Sequence, residues 1–286
     1  MAAWAVTGLR NHLPKAEITW ATESTCAPVV ATPELVNHLV EIPRSRWKKN
    51  RWSPQTWIEQ IQIYTSLRGK LDYGFDLQGH SKTGLMLALS RPKVRWSLTG
   101  TDALVRRLNP VVPNRPEAHK VDQLFDVLRA EFPVESPELP ILYGGDPTDP
   151  IPPGAISLGV GASIPEKKIP TEWWNDLARA LQKHGIPVVT LGGPADEELQ
   201  IGGIDSRVGK TSLAQTLTIL HQSRAHVSGD TGTGHLADGY GVPTVTLFTS
   251  LRNHPSIYRP YSFRNQVIEG LPDPAVVAQR AIEASQ

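Results

Sequence analysis

From Ala155 onward the chain alternates short apolar runs with amphipathic stretches, and no other feature restricts its fold as strongly. Ala155-Ile156-Ser157-Leu158-Gly159-Val160 reads as a buried strand. Between Glu172 and His184, Trp173, Trp174, Leu177, Ala178 and Leu181 recur at helical spacing; Gly185 then stops the helix before a second strand, Ile186 to Leu191. A further unit places a helix with Leu213, Leu217 and Leu220 on one face ahead of the strand Ala225 to Ser228. The last places a short helix, about Gly234 to Tyr240, ahead of the strand Thr244 to Phe248. Strands apolar on both faces and separated by helices predict a parallel sheet covered on both sides, the doubly wound arrangement. Ligands of such sheets sit beyond the carboxyl ends of the strands.

The amino-terminal half follows the same pattern but opens on a helix, Ala2 to about His12, with the first strand, Glu17 to Ala21, only afterwards. A helix around Thr56 to Leu67, a strand Tyr73 to Leu77 and a helix near Lys82 to Leu89 follow. The helix His119 to Ala130 carries Val121, Leu124, Phe125 and Leu128 at i, i+3, i+4 and i+7. A chain of 286 residues exceeds what one hydrophobic core usually serves, at about 150 residues per domain. The stretch Pro133 to Pro153, which holds Pro133, Pro137, Pro140, Pro147, Pro150, Pro152 and Pro153, marks the junction and predicts domains 1–150 and 151–286.

With 29 basic and 28 acidic residues the net charge is +1, too small for a whole-protein field that would drive nonspecific nucleic-acid binding. Cys26 is the single cysteine, so no internal disulfide forms. No run of about 18 apolar residues suggests a membrane span, and Met-Ala-Ala-Trp lacks the basic flank of a signal peptide, which together lead us to expect a cytoplasmic protein. The nine histidines include no His-x-x-x-His pair, and there is no Cys-x-x-Cys, so no metal site is expected. Gly209-Lys210-Thr211 imitates the end of a P-loop, but Ile204 stands where that motif requires glycine.

The segment His226-Val-Ser-Gly-Asp230-Thr231-Gly232-Thr-Gly234-His235-Leu-Ala ends a strand in an acidic-hydroxyl-glycine turn that opens a helix. Such a turn leaves backbone N–H groups unpaired, and its glycines admit a ligand close to the main chain, which makes an anion site suited to a diphosphate. His235 adds a side-chain donor. The plain alternative is that Asp230 caps the helix and His235 packs. A second charged feature is Arg44-Ser-Arg46-Trp47-Lys48-Lys49-Asn-Arg51-Trp52, a composition suited to an anionic membrane or a phosphorylated lipid, against the plain alternative of an exposed loop.

Ser212-Leu-Ala-Gln-Thr-Leu, followed by Asp230-Thr-Gly-Thr-Gly-His235-Leu-Ala-Asp-Gly-Tyr-Gly-Val-Pro-Thr-Val-Thr-Leu-Phe248, resembles the signature of the heptosyltransferase family, the inverting ADP-heptose transferases of lipopolysaccharide core assembly. His12-Leu-Pro-Lys-Ala-Glu-Ile-Thr-Trp20, Asp76-Leu-Gln-Gly-His-Ser-Lys82, His119-Lys-Val-Asp122, Gly161-Ala-Ser-Ile-Pro-Glu-Lys167 and Gly192-Gly-Pro-Ala-Asp-Glu197 extend the resemblance over nearly the whole chain. It implies two Rossmann-like domains facing a cleft, the GT-B type, with the nucleotide-sugar donor on the second and a glycolipid acceptor approached by the first. It also implies no cofactor and a diphosphate held without metal.

The resemblance carries Ser163 and Lys167 to the donor phosphates, Asp196 or Glu197 to the ribose hydroxyls, and Asp230, Thr231, Gly232 and His235 to the donor motif. On the acceptor side, Gln78, His80, Ser81 and Lys82 follow a strand end and face the cleft of a doubly wound fold, and the resemblance carries Lys82 to acceptor phosphate and His119 to the family's histidine, against the plain alternatives of a solvated helix start and a capping residue. Asp238 departs from the small apolar residue usual there and is expected to face solvent. Peripheral contact with the inner face of the inner membrane is expected from the acceptor. Against the family pattern, the first strand and the Gly-Asp turn bearing the general base fall upstream of Met1, so a first domain lacking that strand, weak stability there and little transfer activity are expected. Carboxylates such as Glu23 or Asp76 are the candidates to stand in for the base, though neither occupies the matched position. The rival readings are another sugar-nucleotide enzyme of the same architecture and a noncatalytic sugar-nucleotide-binding relative.

Overall fold

A computed structural model describes residues 1–100, 102–145, 150–162, 164–250 and 252–286. The chain divides into two compact units, Met1–Pro137 and Glu138–Gln286, with the division inside the proline-rich stretch.

The second unit is built on a six-stranded sheet whose ladders are all parallel. In the first unit α1 (Ala2–His12) is followed by β1 (Thr19–Glu23), α2 (Ala27–Val30), β2 (His38–Ile42), α3 (Arg44–Lys49) and α4 (Pro54–Thr65). Then come β3 (Tyr73–Asp76), α5 (Ser81–Ser90), β4 (Val94–Ser97), α6 (Ala103–Leu108) and α7 (Lys120–Arg129). The second unit runs β5 (Ile156–Gly159), a single 3-10 turn Pro165–Lys167, α8 (Thr171–Lys183), β6 (Val188–Leu191), β7 (Asp205–Ser206), α9 (Leu213–Gln222) and β8 (Ala225–Gly229). It closes with α10 (Gly232–Gly239), β9 (Thr244–Phe248), α11 (Pro255–Tyr258), β10 (Asn265–Glu269) and α12 (Pro274–Ala284).

Sheet order in the second unit is β10-β9-β8-β5-β6-β7. Every residue of β5, β6, β8 and β9 is buried, as expected of strands covered on both faces. Trp174, Leu177, Ala178 and Leu181 of α8 pack with Ile156, Leu158 and Val227 of the sheet and with Val277 and Ala281 of α12. Burying a side chain such as Leu181 contributes about 1.5–3 kcal/mol, so this one cluster supplies much of the unit's stability.

In the first unit the parallel sheet is in two pieces, β1 with β2 and β3 with β4. The residues of β1 are all only half-buried, and no strand of this unit is buried throughout. Less apolar area is removed from water per strand than in the second unit, so each strand here is held more weakly. The run Arg44 to Lys49 forms a helix rather than a loop, because Trp47 buries against Tyr64 and Met86 and anchors an otherwise charged turn. No helix among the described residues is long and apolar enough to cross a membrane.

Candidate active site

The sheet of the second unit grows outward from β5 in one direction (β6, β7) and from β8 in the other (β9, β10), so its switch point lies between the carboxyl ends of β5 and β8. Two segments leave the sheet there. One, from Val160 through Gly161, reaches the turn Pro165–Lys167; the other is Asp230-Thr231 and the start of α10. Lys167 joins them. Its Nζ lies 2.5 Å from Asp230 Oδ2 and donates to the Asp230 carbonyl at 3.2 Å, with the two side chains 11% and 8% exposed.

Asp230 does not cap α10; Thr231 occupies the cap position, without a side-chain cap bond. The carboxylate accepts instead from Lys167 and from Asn253 Nδ2 at 2.6 Å. The first N–H groups of α10, starting at Gly232, have no intrahelical acceptor and point out of the helix end. His235 is half-buried in the same first turn. Ser163 lies outside the described residues. Motif and lysine, separated by 63 residues in sequence, thus meet at one place.

Beneath the turn runs a chain of polar contacts that sequence reasoning missed. Ser157 Oγ lies 2.9 Å from His226 Nδ1, His226 Nε2 lies 3.1 Å from Thr233 Oγ1, and Thr233 Oγ1 lies 3.2 Å from Thr231 Oγ1. Gly159 makes room for it, because a Cβ there would stand 2.5 Å from Thr233 Oγ1. His226 is fully buried, and desolvation pushes its pKa down to about 3. A neutral ring has one donor and one acceptor nitrogen, so it links the two hydroxyls in a defined order. The unfolded chain takes up a proton near pH 6.5 that the native chain refuses until about pH 3, so stability present above pH 6.5 drains away as pH falls through that window. At pH 5 the loss is about 2 kcal/mol. Urea unfolding at pH 7.5 and pH 5 should show this acid-linked loss in the native chain and not in His226→Gln.

Asp196 and Glu197 occupy the loop after β6 and differ in role. Asp196 Oδ2 accepts from the Gly193 amide at 2.7 Å and fits closely against Gly161, where a Cβ would stand 2.3 Å from it, so its carboxylate shapes the loop. Glu197 is exposed; its carboxyl is held below the usual range by the Thr171 hydroxyl at 2.7 Å and then by Lys168 at 3.7 Å. Lys210, of the P-loop lookalike, pairs with Glu198 at 2.7 Å on the surface.

In the first unit, Gln78, His80, Ser81 and Lys82 follow the carboxyl end of β3. Gln78, His80 and Lys82 are exposed. Ser81 gives both its N–H and its hydroxyl to Asp102 Oδ2, at 2.7 and 2.8 Å, and these bonds hold the Asp102 carboxyl down. His119 is buried as the cap of α7, its Nδ1 accepting from the Val121 amide at 3.1 Å. Asp76 is buried and accepts from the Gln78 and Gly79 amides and from Ser97 Oγ; Glu23 is paired with Arg44. Both carboxylates therefore have structural duties.

Asp238 is corrected by the structure. It does not face solvent: it is 1% exposed and accepts from the Tyr261 and Ser262 amides, at 2.8 and 3.0 Å, and from the Ser262 hydroxyl. Burial raises its pKa.

The sequence model described as glycosyltransferase family 9 (heptosyltransferase) matches residues 60–280. The chain belongs to that family. Lipopolysaccharide heptosyltransferase 1 of Pseudomonas aeruginosa is 28% identical over 266 residues, covering 85% of this chain and 73% of that protein. The fold is shared with the E. coli heptosyltransferase WaaC bound to ADP, at a TM-score of 0.82 and 19% identity over 100% of this chain and 95% of that one. It is shared as well with E. coli ADP-heptose lipopolysaccharide heptosyltransferase II, at a TM-score of 0.76 and 20% identity over 99% and 94%. These are GT-B glycosyltransferases, and membership in family 9 makes this chain a glycosyltransferase related to the enzymes of lipopolysaccharide synthesis.

Proposed function

We propose that this family 9 protein moves heptose from ADP-heptose to a lipopolysaccharide core or related glycolipid, with inversion at the anomeric carbon. The observation that carries the reading is the meeting of Lys167 with the Asp230–His235 turn at the switch point of the second unit. The solved relatives with ADP and with ADP-2-deoxy-2-fluoro heptose support the choice of donor. Lys167, the amides opening α10 near Gly232, Thr231 and His235 bind the diphosphate, assisted by Ser163, while exposed Glu197 takes the ribose hydroxyls and Asp196 keeps its loop in shape. The acceptor hydroxyl attacks the anomeric carbon as its bond to the diphosphate oxygen breaks. The acceptor's proton passes to a general base, and the negative charge left on ADP is met by Lys167 and the helix amides. Lys82, with the exposed groups of Gln78 and His80, meets acceptor phosphate. The reaction takes place at the cytoplasmic face of the inner membrane, and the cations of α3 meet the lipid there.

Fixed cations and amides take the place of a metal at the diphosphate in this reading. Calorimetric titration with ADP should give the same affinity in EDTA as in magnesium. Binding that vanishes in EDTA and returns with magnesium would overturn the metal-free mechanism.

A further inference from the structure

We propose that α4 and the turn before it form a membrane-insertion face, on which the chain docks to an anionic lipid bilayer through apolar contact as well as charge. This rests on the reading that the acceptor is a glycolipid and deepens it. Trp52 is 80% exposed, and Trp57, Ile58 and Ile61 are each 55% exposed. At helical pitch the last three fall within an arc of about 100°, so they share one face of α4. The flank of the helix next to Trp57 holds it to the unit: Thr56 and Tyr64 are buried, and Tyr64 packs with Trp47 and Met86. A soluble monomer gains nothing from four large apolar side chains exposed within ten residues, Trp52 to Ile61.

The charges beside this face name its partner. Lys48, Lys49 and Arg51 are exposed with no ion pair among the described residues, Arg51 lying 5.2 Å from the centre of the Trp52 ring. Glu59, the one acidic residue of α4, is already engaged by Arg46 and by Trp47 Nε1, the latter at 2.7 Å. That engagement also ties α3 to α4, so cations and apolar face present as one rigid piece. Unpaired cations rimming tryptophans and isoleucines suit an interface of anionic headgroups over acyl chains, where both kinds of group are satisfied together. A purely electrostatic contact would leave Trp57 and Ile61 without a purpose.

Co-sedimentation with phosphatidylethanolamine–phosphatidylglycerol vesicles separates the two contributions. The native chain should bind at low salt and remain partly bound in about 1 M salt, where the Debye length is about 3 Å. Trp57→Ser with Ile61→Ser should bind at least about tenfold more weakly at low salt and not at all at high salt. Lys48→Gln, Lys49→Gln and Arg51→Gln together should lose on the order of a hundredfold at low salt while keeping the salt-resistant part. Complete release of the native chain by salt, indifference to the Trp57 and Ile61 changes, or equal binding to phosphatidylcholine vesicles would each overturn the proposal. So would a dimer, seen by sedimentation, that those two changes dissolve, since the face would then belong to a second copy. Both residues are mostly exposed and lie outside the donor unit, so ADP binding by the Trp57→Ser, Ile61→Ser variant should match the native chain. Failure of the native chain to bind ADP would sink the donor reading and leave the vesicle result standing.

Discussion

Lys167→Ala should weaken ADP binding by about 1.5–3 kcal/mol, roughly ten- to more than a hundredfold. The size follows from where the lysine sits. Its ammonium is mostly withdrawn from solvent and lies 2.5 Å from Asp230, so a ligand there meets it in a medium of lower dielectric than water. Removal has a second effect, because Asp230 loses its cation and is left, among the described residues, with Asn253 as its side-chain donor in the turn that should receive a diphosphate. Lys167→Ala combined with Asp230→Ala should therefore lose less affinity than the two single losses added together, a coupling that a double-mutant cycle reads directly. Lys210→Ala is the control: its pair with Glu198 is exposed, such pairs are worth about 0–1 kcal/mol, and ADP affinity should hardly change. Equal losses at the two lysines, measured by calorimetry, would mean that the diphosphate is held elsewhere.

The parts of the fold that the sequence displays are those whose side chains all answer to one environment. β5, β6, β8 and β9 are buried on both faces, so they appear as continuous apolar runs, and α8 shows its buried stripe at regular spacing. β10 is half-buried at the sheet edge and mixes Asn265, Gln266 and Glu269 with two apolar residues, which leaves no period to read. β2 and β4 are hidden in the same way by Glu41 and Arg95. The turn we propose for the donor was legible because Asp230 to His235 is contiguous. Asn253 reaches it from 23 residues away, and the His226–Thr233 contact depends on a strand and a helix start folding over Gly159. The one available signal for His226 is its position as a histidine inside an otherwise small and apolar strand. Asp238 misled for the converse reason. A carboxylate in a surface-length helix suggests solvent, and only the return of residues 261–262 to its side shows why it is buried.

Asp238→Ala should destabilise the protein by about 3–5 kcal/mol, a loss in the range that marks a broken buried network. Alanine would leave the amides of Tyr261 and Ser262 and the Ser262 hydroxyl without their acceptor, with Ser262 itself buried and water unable to replace the carboxylate. Each orphaned group costs about 1–3 kcal/mol. Asp238→Asn preserves the volume and one oxygen acceptor but sets an NH2 group where two donors already converge, and about half the loss is expected. Urea unfolding measures both. The damage should be directional as well, because the bonds tie the last turn of α10 to the segment that leads into β10 at the sheet edge. Hydrogen exchange should therefore quicken first in β10, ahead of β5 and β8, and ADP affinity should fall modestly as α10, whose first turn we propose for the diphosphate, loses its rear anchor. A cost below about 1 kcal/mol for Asp238→Ala, with unchanged exchange in β10, would mean that the buried carboxylate is tolerated there rather than required.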